Sequence, residues 1–277
     1  MKSLPRTLRF ALIASSALWL SVSAISPAHA ADKKANKQAS KSSAAAPALS
    51  ARAQRSLELN EQGVVAIKGR DFDRAESLFK QALEVDEKNL TAVFNLAGMY
   101  ITNKKDAQAV TLLSKYAKDY PSDAGLQARL GDAYFSSQNP RGAIEAYNRS
   151  LTLDPNYPSV PARLGTLYTL SNNLPKAAAM FERAVKQNPS DVQSLQNLSS
   201  LYLGLDRPKD AVSTAKRAIQ LSSSPQGYAT LGSAYQQLND DKNALMAFQR
   251  AKELGYKDKN LSSIIEGLEK KLEKNAA

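Results

Sequence analysis

An all-α array of helical hairpins, six in tandem and closed by one further helix, is predicted by three observations. An alanine recurs at Ala75, Ala109, Ala143, Ala177, Ala211 and Ala244, in steps of 34 residues with a last step of 33. In the same register a leucine is followed four residues later by a tyrosine, at Leu96/Tyr100, Leu130/Tyr134, Leu164/Tyr168, Leu198/Tyr202 and Leu231/Tyr235. An aromatic residue follows the alanine by four at Phe79, Tyr147, Phe181 and Phe248, and prolines close units at Pro121, Pro155 and Pro189. Several columns held in register at one period signal stacked supersecondary units.

Residues 124–157 give the template. Leu130, Gly131 and Tyr134 share one helical face, and Ala143, Tyr147 and Ser150 follow after a turn. Gly131 lets the two helices approach, Ala143 is the small partner, and Tyr134 and Tyr147 fill the space around the contact. Asp154 precedes Pro155 and is pushed out of the α region, which ends the second helix. One such pair cannot bury its apolar face alone, so neighbours are required. The spacing L-G-x2-Y…A-x3-[FY]…P resembles the tetratricopeptide repeat over roughly residues 54–258. The resemblance implies a right-handed superhelical solenoid of six tetratricopeptide helix-turn-helix repeats, with helices A and B in each. The repeats fall at about 56–89, 90–123, 124–157, 158–191, 192–224 and 225–258.

Taken in order, residues 1–30 have a basic start at Lys2, Arg6 and Arg9, an apolar run from Phe10 to Ile25, and Ala28-His29-Ala30. This is the layout of a cleavable signal peptide, with cleavage expected after Ala30 and a periplasmic or secreted location. Residues 31–53 are rich in Ala, Ser and Lys and read as a flexible linker, or as a cationic arm in contact with anionic surfaces. The first repeat departs from the pattern with Ala66 in place of the tyrosine, as end repeats do. In the fourth, Pro161 is expected in the first turn of its helix, where a missing N–H costs little. Residues 259–277 are expected to form a capping helix, with Asn260 as N-cap and an apolar stripe of Leu261, Ile264, Ile265, Leu268 and Leu272. Its balanced charges and lack of an aromatic anchor favour a cap over a membrane-surface element.

Composition removes most chemistry. There is no cysteine, and the one histidine, His29, lies in the leader. A Ser-His-Asp triad, a Cys-His pair and a histidine zinc site are therefore not expected in the mature chain. Ser-x-x-Lys at Ser77–Lys80 and Ser213–Lys216 follows from helix geometry alone, and no phosphate-binding glycine loop occurs. An enzyme, a cofactor and a metal are not expected. The net charge of +11 divides into +3 over residues 1–30, +4 over 31–53 and +4 over 54–277, where 29 basic residues face 25 acidic ones. So balanced an array has no footprint for nucleic acid. After leader cleavage no segment is expected to span a membrane.

What remains is a surface. The resemblance implies that helix A lines a concave groove with its second, fifth, sixth, ninth, twelfth and thirteenth positions. The sixth position reads Glu61, Asn95, Arg129, Arg163, Asn197 and Thr230. The expected partner-binding groove is centred on Asn95, Arg129, Arg163 and Asn197, whose donors suit a peptide backbone or carboxylates. Of the five clamp residues with which family members grip a C-terminal carboxylate, Asn95 and Arg129 match. Asn60, Val64 and Gly125 do not, so that clamp is not expected. The expected function is a non-enzymatic scaffold or adaptor for a protein or peptide, in envelope assembly, secretion or pilus biogenesis. Two alternatives stand beside it: a cell-wall or exopolysaccharide binding protein, and a non-catalytic partner subunit of an envelope enzyme.

Overall fold

The computed structural model describes residues 49–276, and among them it contains thirteen α-helices and no strand. Six hairpins are formed by α1 (Ala51–Lys68) with α2 (Phe72–Val85), α3 (Leu90–Thr102) with α4 (Asp106–Asp119), and α5 (Ala124–Ser136) with α6 (Pro140–Leu153). They continue with α7 (Val160–Leu170) and α8 (Leu174–Gln187), α9 (Val192–Gly204) and α10 (Pro208–Leu221), and α11 (Pro225–Gln237) and α12 (Asp241–Glu253). Helix α13 (Leu261–Ala276) follows. The odd-numbered helices up to α11 are the A helices and the even-numbered ones the B helices of an all-α helical repeat solenoid.

The turn inside every hairpin is built the same way. Each A helix ends two residues before a residue of positive φ, at Arg70, Lys104, Gln138, Asn172, Asp206 and Asn239, with φ between 56° and 61°. The next N–H then reaches back to the A helix, as in Lys105 N–H to Tyr100 O at 2.8 Å and Arg207 N–H to Tyr202 O at 2.8 Å. That bond satisfies a carbonyl the helix end would leave orphaned. A short acceptor opens most helices: Asp71, Asn89, Asp123, Asn139, Asn173, Asp191, Ser224 and Asp240 each take an N–H of the first turn.

In four of the hairpins a glycine of the A helix meets an aromatic ring of the B helix. A methyl group at Gly131 would lie 2.5 Å from the Tyr147 ring, and one at Gly165 2.7 Å from Phe181. Gly63 faces Phe79 and Gly232 faces Phe248 in the same way. Where the A-helix residue is larger the B-helix residue is smaller: Ala97 occurs with Leu113, and Ser199 with Ala215.

The chain forms two compact units that divide between Tyr157 and Pro158, three hairpins in each, although the periodicity reads as one array. In the first unit one core runs from Leu59 to Ala146. The link carries Pro155 and Pro158, and Ser159 stands at φ 65° and gives α7 no side-chain cap. Pro161 does lie in the first turn of α7.

In the second unit Leu261, Ile265 and Leu268 of α13 are buried beside Ala244 and Phe248 of α12, with Ile264 packed against them. Lys271 Nζ reaches Asp241 at 2.6 Å and fastens the polar edge. The C-terminal helix therefore covers the last hairpin. It starts at Leu261, and the Asn260 carbonyl accepts the Ile264 N–H at 2.9 Å. The N-terminal boundary needs one correction. Residues 51–53 belong to α1 and not to the linker, because the Ser50 hydroxyl accepts the Ala53 N–H at 3.1 Å and Arg52 Nε donates to the Val85 carbonyl at 2.6 Å. The leader and residues 31–48 lie outside the described residues.

Candidate partner-binding surface

The four residues singled out on the A helices do not share one environment. Asn95 is corrected: it is 5% exposed and donates from Nδ2 to Asn60 Oδ1 at 2.8 Å, so it joins α3 to α1 inside the wall. Buried amides bonded to each other present little outward. A second buried link lies beside it, where Ser56 Oγ donates to the Ala82 carbonyl at 2.7 Å and accepts from Asn89 Nδ2 at 2.8 Å.

Arg129 is half-buried on α5, with Nη1 3.7 Å from Asp132 Oδ2. Asp132 Oδ1 accepts the Tyr147 hydroxyl at 2.7 Å, so this carboxylate is already turned toward α6. Arg163 on α7 is half-buried and lies in the second unit. Asn197 on α9 is half-buried and accepts from Gln193 Nε2 at 3.2 Å. Arg129 thus belongs to the first unit, and Arg163 and Asn197 to the second.

Each unit also carries a charged cluster that ties one hairpin to the next. In the first, Glu76 of α2 receives Lys105 Nζ at 2.7 Å, Lys80 Nζ at 2.8 Å and the Tyr100 hydroxyl at 3.1 Å. The Lys105 hydrogen bond, then that of Lys80, holds its carboxyl at about 2, well below the ordinary carboxylate range. In the second, Glu182 of α8 accepts the Tyr202 hydroxyl at 2.8 Å, and the Arg207 guanidinium lies 4.3 Å from the Tyr202 ring centre. Burial, followed by the Glu182 hydrogen bond, pushes the Tyr202 hydroxyl up to about 12.

Sequence reasoning missed a cavity in the second unit. It holds about 80 Å³ and is lined by Ser200 and Leu203 of α9, Gln226, Ala229, Thr230 and Ser233 of α11, Phe248, Tyr256 and Asp258, and Leu261 and Ile264 of α13. The α9 and α11 residues occupy second, fifth, sixth, ninth and twelfth repeat positions, the set assigned to the binding face. The signal available in advance was the run of small polar residues there. Among the described residues no cluster of His, Cys, Asp and Glu could hold a metal, and no helix is long and apolar enough to cross a membrane.

Three models of the tetratricopeptide repeat match the chain, one at residues 66–132 and 134–202, one at 107–158, and one at 192–225 and 225–254. The chain belongs to the tetratricopeptide-repeat family. Among solved structures it is similar to PilW, described as a widely conserved type IV pilus biogenesis factor. The TM-score is 0.59 and the identity 16%, over 76% of this chain and 99% of that one. It is similar to MamA with a TM-score of 0.53 and 23% identity, over 61% of this chain and 92% of that one. These likenesses establish the fold.

Among curated proteins, Stress-induced-phosphoprotein 1 of Caenorhabditis elegans is 30% identical over 97 residues, 32% of this chain and 30% of that protein. Protein O-mannosyl-transferase Tmtc3 of Drosophila melanogaster is 30% identical over 89 residues, 32% of this chain but 10% of that protein. The chain spans less than a third of the length of these relatives. The tetratricopeptide-repeat family supports a protein-interaction scaffold.

Proposed function

We propose that this chain is an exported, non-enzymatic adaptor that holds an extended segment of a partner protein on its A-helix faces. Arg129 carries the contact in the first unit, and Arg163 with Asn197 in the second. The observation that carries the reading is positional: these three half-buried side chains share one repeat position. Guanidinium groups there make charge-assisted bonds roughly twice as strong as neutral ones. Export rests on the basic start, apolar run and Ala28-His29-Ala30 of the leader. It supports a periplasmic setting, with envelope assembly, secretion or pilus biogenesis as the process. The transferase match covers too small a part of that protein to bring its activity here.

The test is capture of a partner from an envelope extract by wild type and by Arg129→Ala/Arg163→Ala. The double variant should lose capture while its helical spectrum stays unchanged and its melting falls only slightly, since a part-exposed pair such as Arg129–Asp132 contributes about 1 kcal/mol or less. Arg141→Ala is the control. Arg141 is exposed in the first turn of α6. Undiminished capture by the double variant, with loss on deletion of residues 31–48, would move the function to the cationic arm.

A further inference from the structure

We infer that the cavity between α9, α11 and α13 is an anchor pocket for one lysine side chain of the partner segment. This rests on the reading that the A-helix face carries the partner, and it names the chemistry recognised there. Size is the first argument. At about 80 Å³ the cavity is well below the roughly 300–1,000 Å³ of small-molecule sites, and suits a single side chain.

The walls give the second argument. Leu203, Ala229, Phe248, Leu261 and Ile264 offer apolar surface along which a methylene stem packs. The polar lining points the same way, because it offers acceptors. Thr230 Oγ1 donates to the Gln226 carbonyl at 3.0 Å and Ser233 Oγ to the Ala229 carbonyl at 3.0 Å. Each hydroxyl proton is thereby committed to its own helix, and the oxygen keeps its lone pairs for an incoming donor.

Asp258 is the charged residue of the lining, and one of its oxygens already accepts the Asn260 N–H at 2.8 Å. That bond fixes the carboxylate in the loop that enters α13. Beside it, burial and then the Asp258 charge push the Tyr256 hydroxyl up, while a hydrogen bond with Gln226 opposes them and joins two residues of the lining. An apolar lining with neutral acceptors and one carboxylate matches a stem that ends in an ammonium group with three donors and no acceptor.

The experiment uses isotope-labelled full chain and two pentapeptides, acetyl-Gly-Gly-Lys-Gly-Gly-amide and its norleucine counterpart, which keeps the stem and lacks the ammonium. The lysine peptide should shift the amide resonances of Thr230, Ser233 and Tyr256 saturably, with Kd of about 1 mM. The norleucine peptide should bind about tenfold more weakly. Asp258→Asn, which retains an acceptor for the Asn260 N–H, should remove most of that difference without affecting the norleucine peptide. Ala229→Leu should block both.

Equal binding of the two peptides, or no saturable shift for either, overturns the proposal, as does undiminished lysine binding by Asp258→Asn. Tighter binding of a peptide of residues 31–48 than of the pentapeptide overturns it in favour of this chain's own arm. Because the pocket is read locally, its failure is separable from that of the binding face. Normal shifts together with undiminished capture by the Arg129/Arg163 variant would sink the face reading and leave the pocket standing.

Discussion

Asn60 and Asn95 in the first unit have counterparts in the second at Gln196 and Thr230, fifth and sixth positions of successive repeats. The first pair meets across the seam between two A helices at 2.8 Å and is buried. The second pair does not meet. Gln196 Nε2 turns to Ser224 Oγ at 2.9 Å, and Thr230 folds back on its own helix. The seam with the amide pair is closed, whereas the other has Thr230 in the wall of a cavity. Two seams of one backbone plan therefore differ through where four polar side chains send their hydrogen bonds. The lesson is that a repeat position indicates which way a residue faces but not whether its polar groups remain available.

The largest expected effect comes from removing what only the second unit has. Deleting residues 261–277 exposes the surface under Leu261, Ile265 and Leu268, each contributing about 1.5–3 kcal/mol when fully buried. Hydrogen exchange should rise across α11 and α12 and stay unchanged in α1 to α4. Unchanged exchange in α12 would show that α13 is not a cap.

A middle-sized effect is expected at the closed seam. Asn95→Ala leaves Asn60 buried without its partner, which should cost about 1–3 kcal/mol in chemical denaturation. Thr230→Ala breaks no link between helices and should cost well under half as much. Equal losses would erase the distinction between the seams.

The smallest effect concerns pH. Glu76 is held at about 2 against an ordinary 4.5, so the contribution of its ion pairs is present above the ordinary value and lost as pH falls from about 4.5 toward 2. Lys80 and Lys105 are about half exposed, which screens the pairs and keeps their contribution small. Wild type and Glu76→Gln should differ in melting temperature at pH 6 and converge near pH 2. A constant gap would assign the loss to packing.

The fold was legible because the B-helix alanine recurs in six hairpins, the leucine–tyrosine pair in five and the B-helix aromatic in four, all in one register, and chance does not do that. The cap helix was legible for the related reason that its apolar stripe had one place to go. Asn95 was misread because its partner stands 35 residues away, beyond any argument from helical spacing. The start of α1 was set too late because Ser50 sits in a run of small residues where a capping hydroxyl is easily overlooked. The cavity was illegible for a different reason. Its far wall is formed by Tyr256 and Asp258, in an irregular stretch whose course no periodicity dictates.

Gly131 against Tyr147, Gly165 against Phe181 and Gly232 against Phe248 each balance volume inside one hairpin. A duplication or loss of one 34-residue block would then copy or delete both members of a pair together. Neither a void nor a clash would arise within the hairpins that remain. Array length is thus a quantity that gene rearrangement can change in whole repeats. The substitution of one member alone is the change such a protein tolerates least.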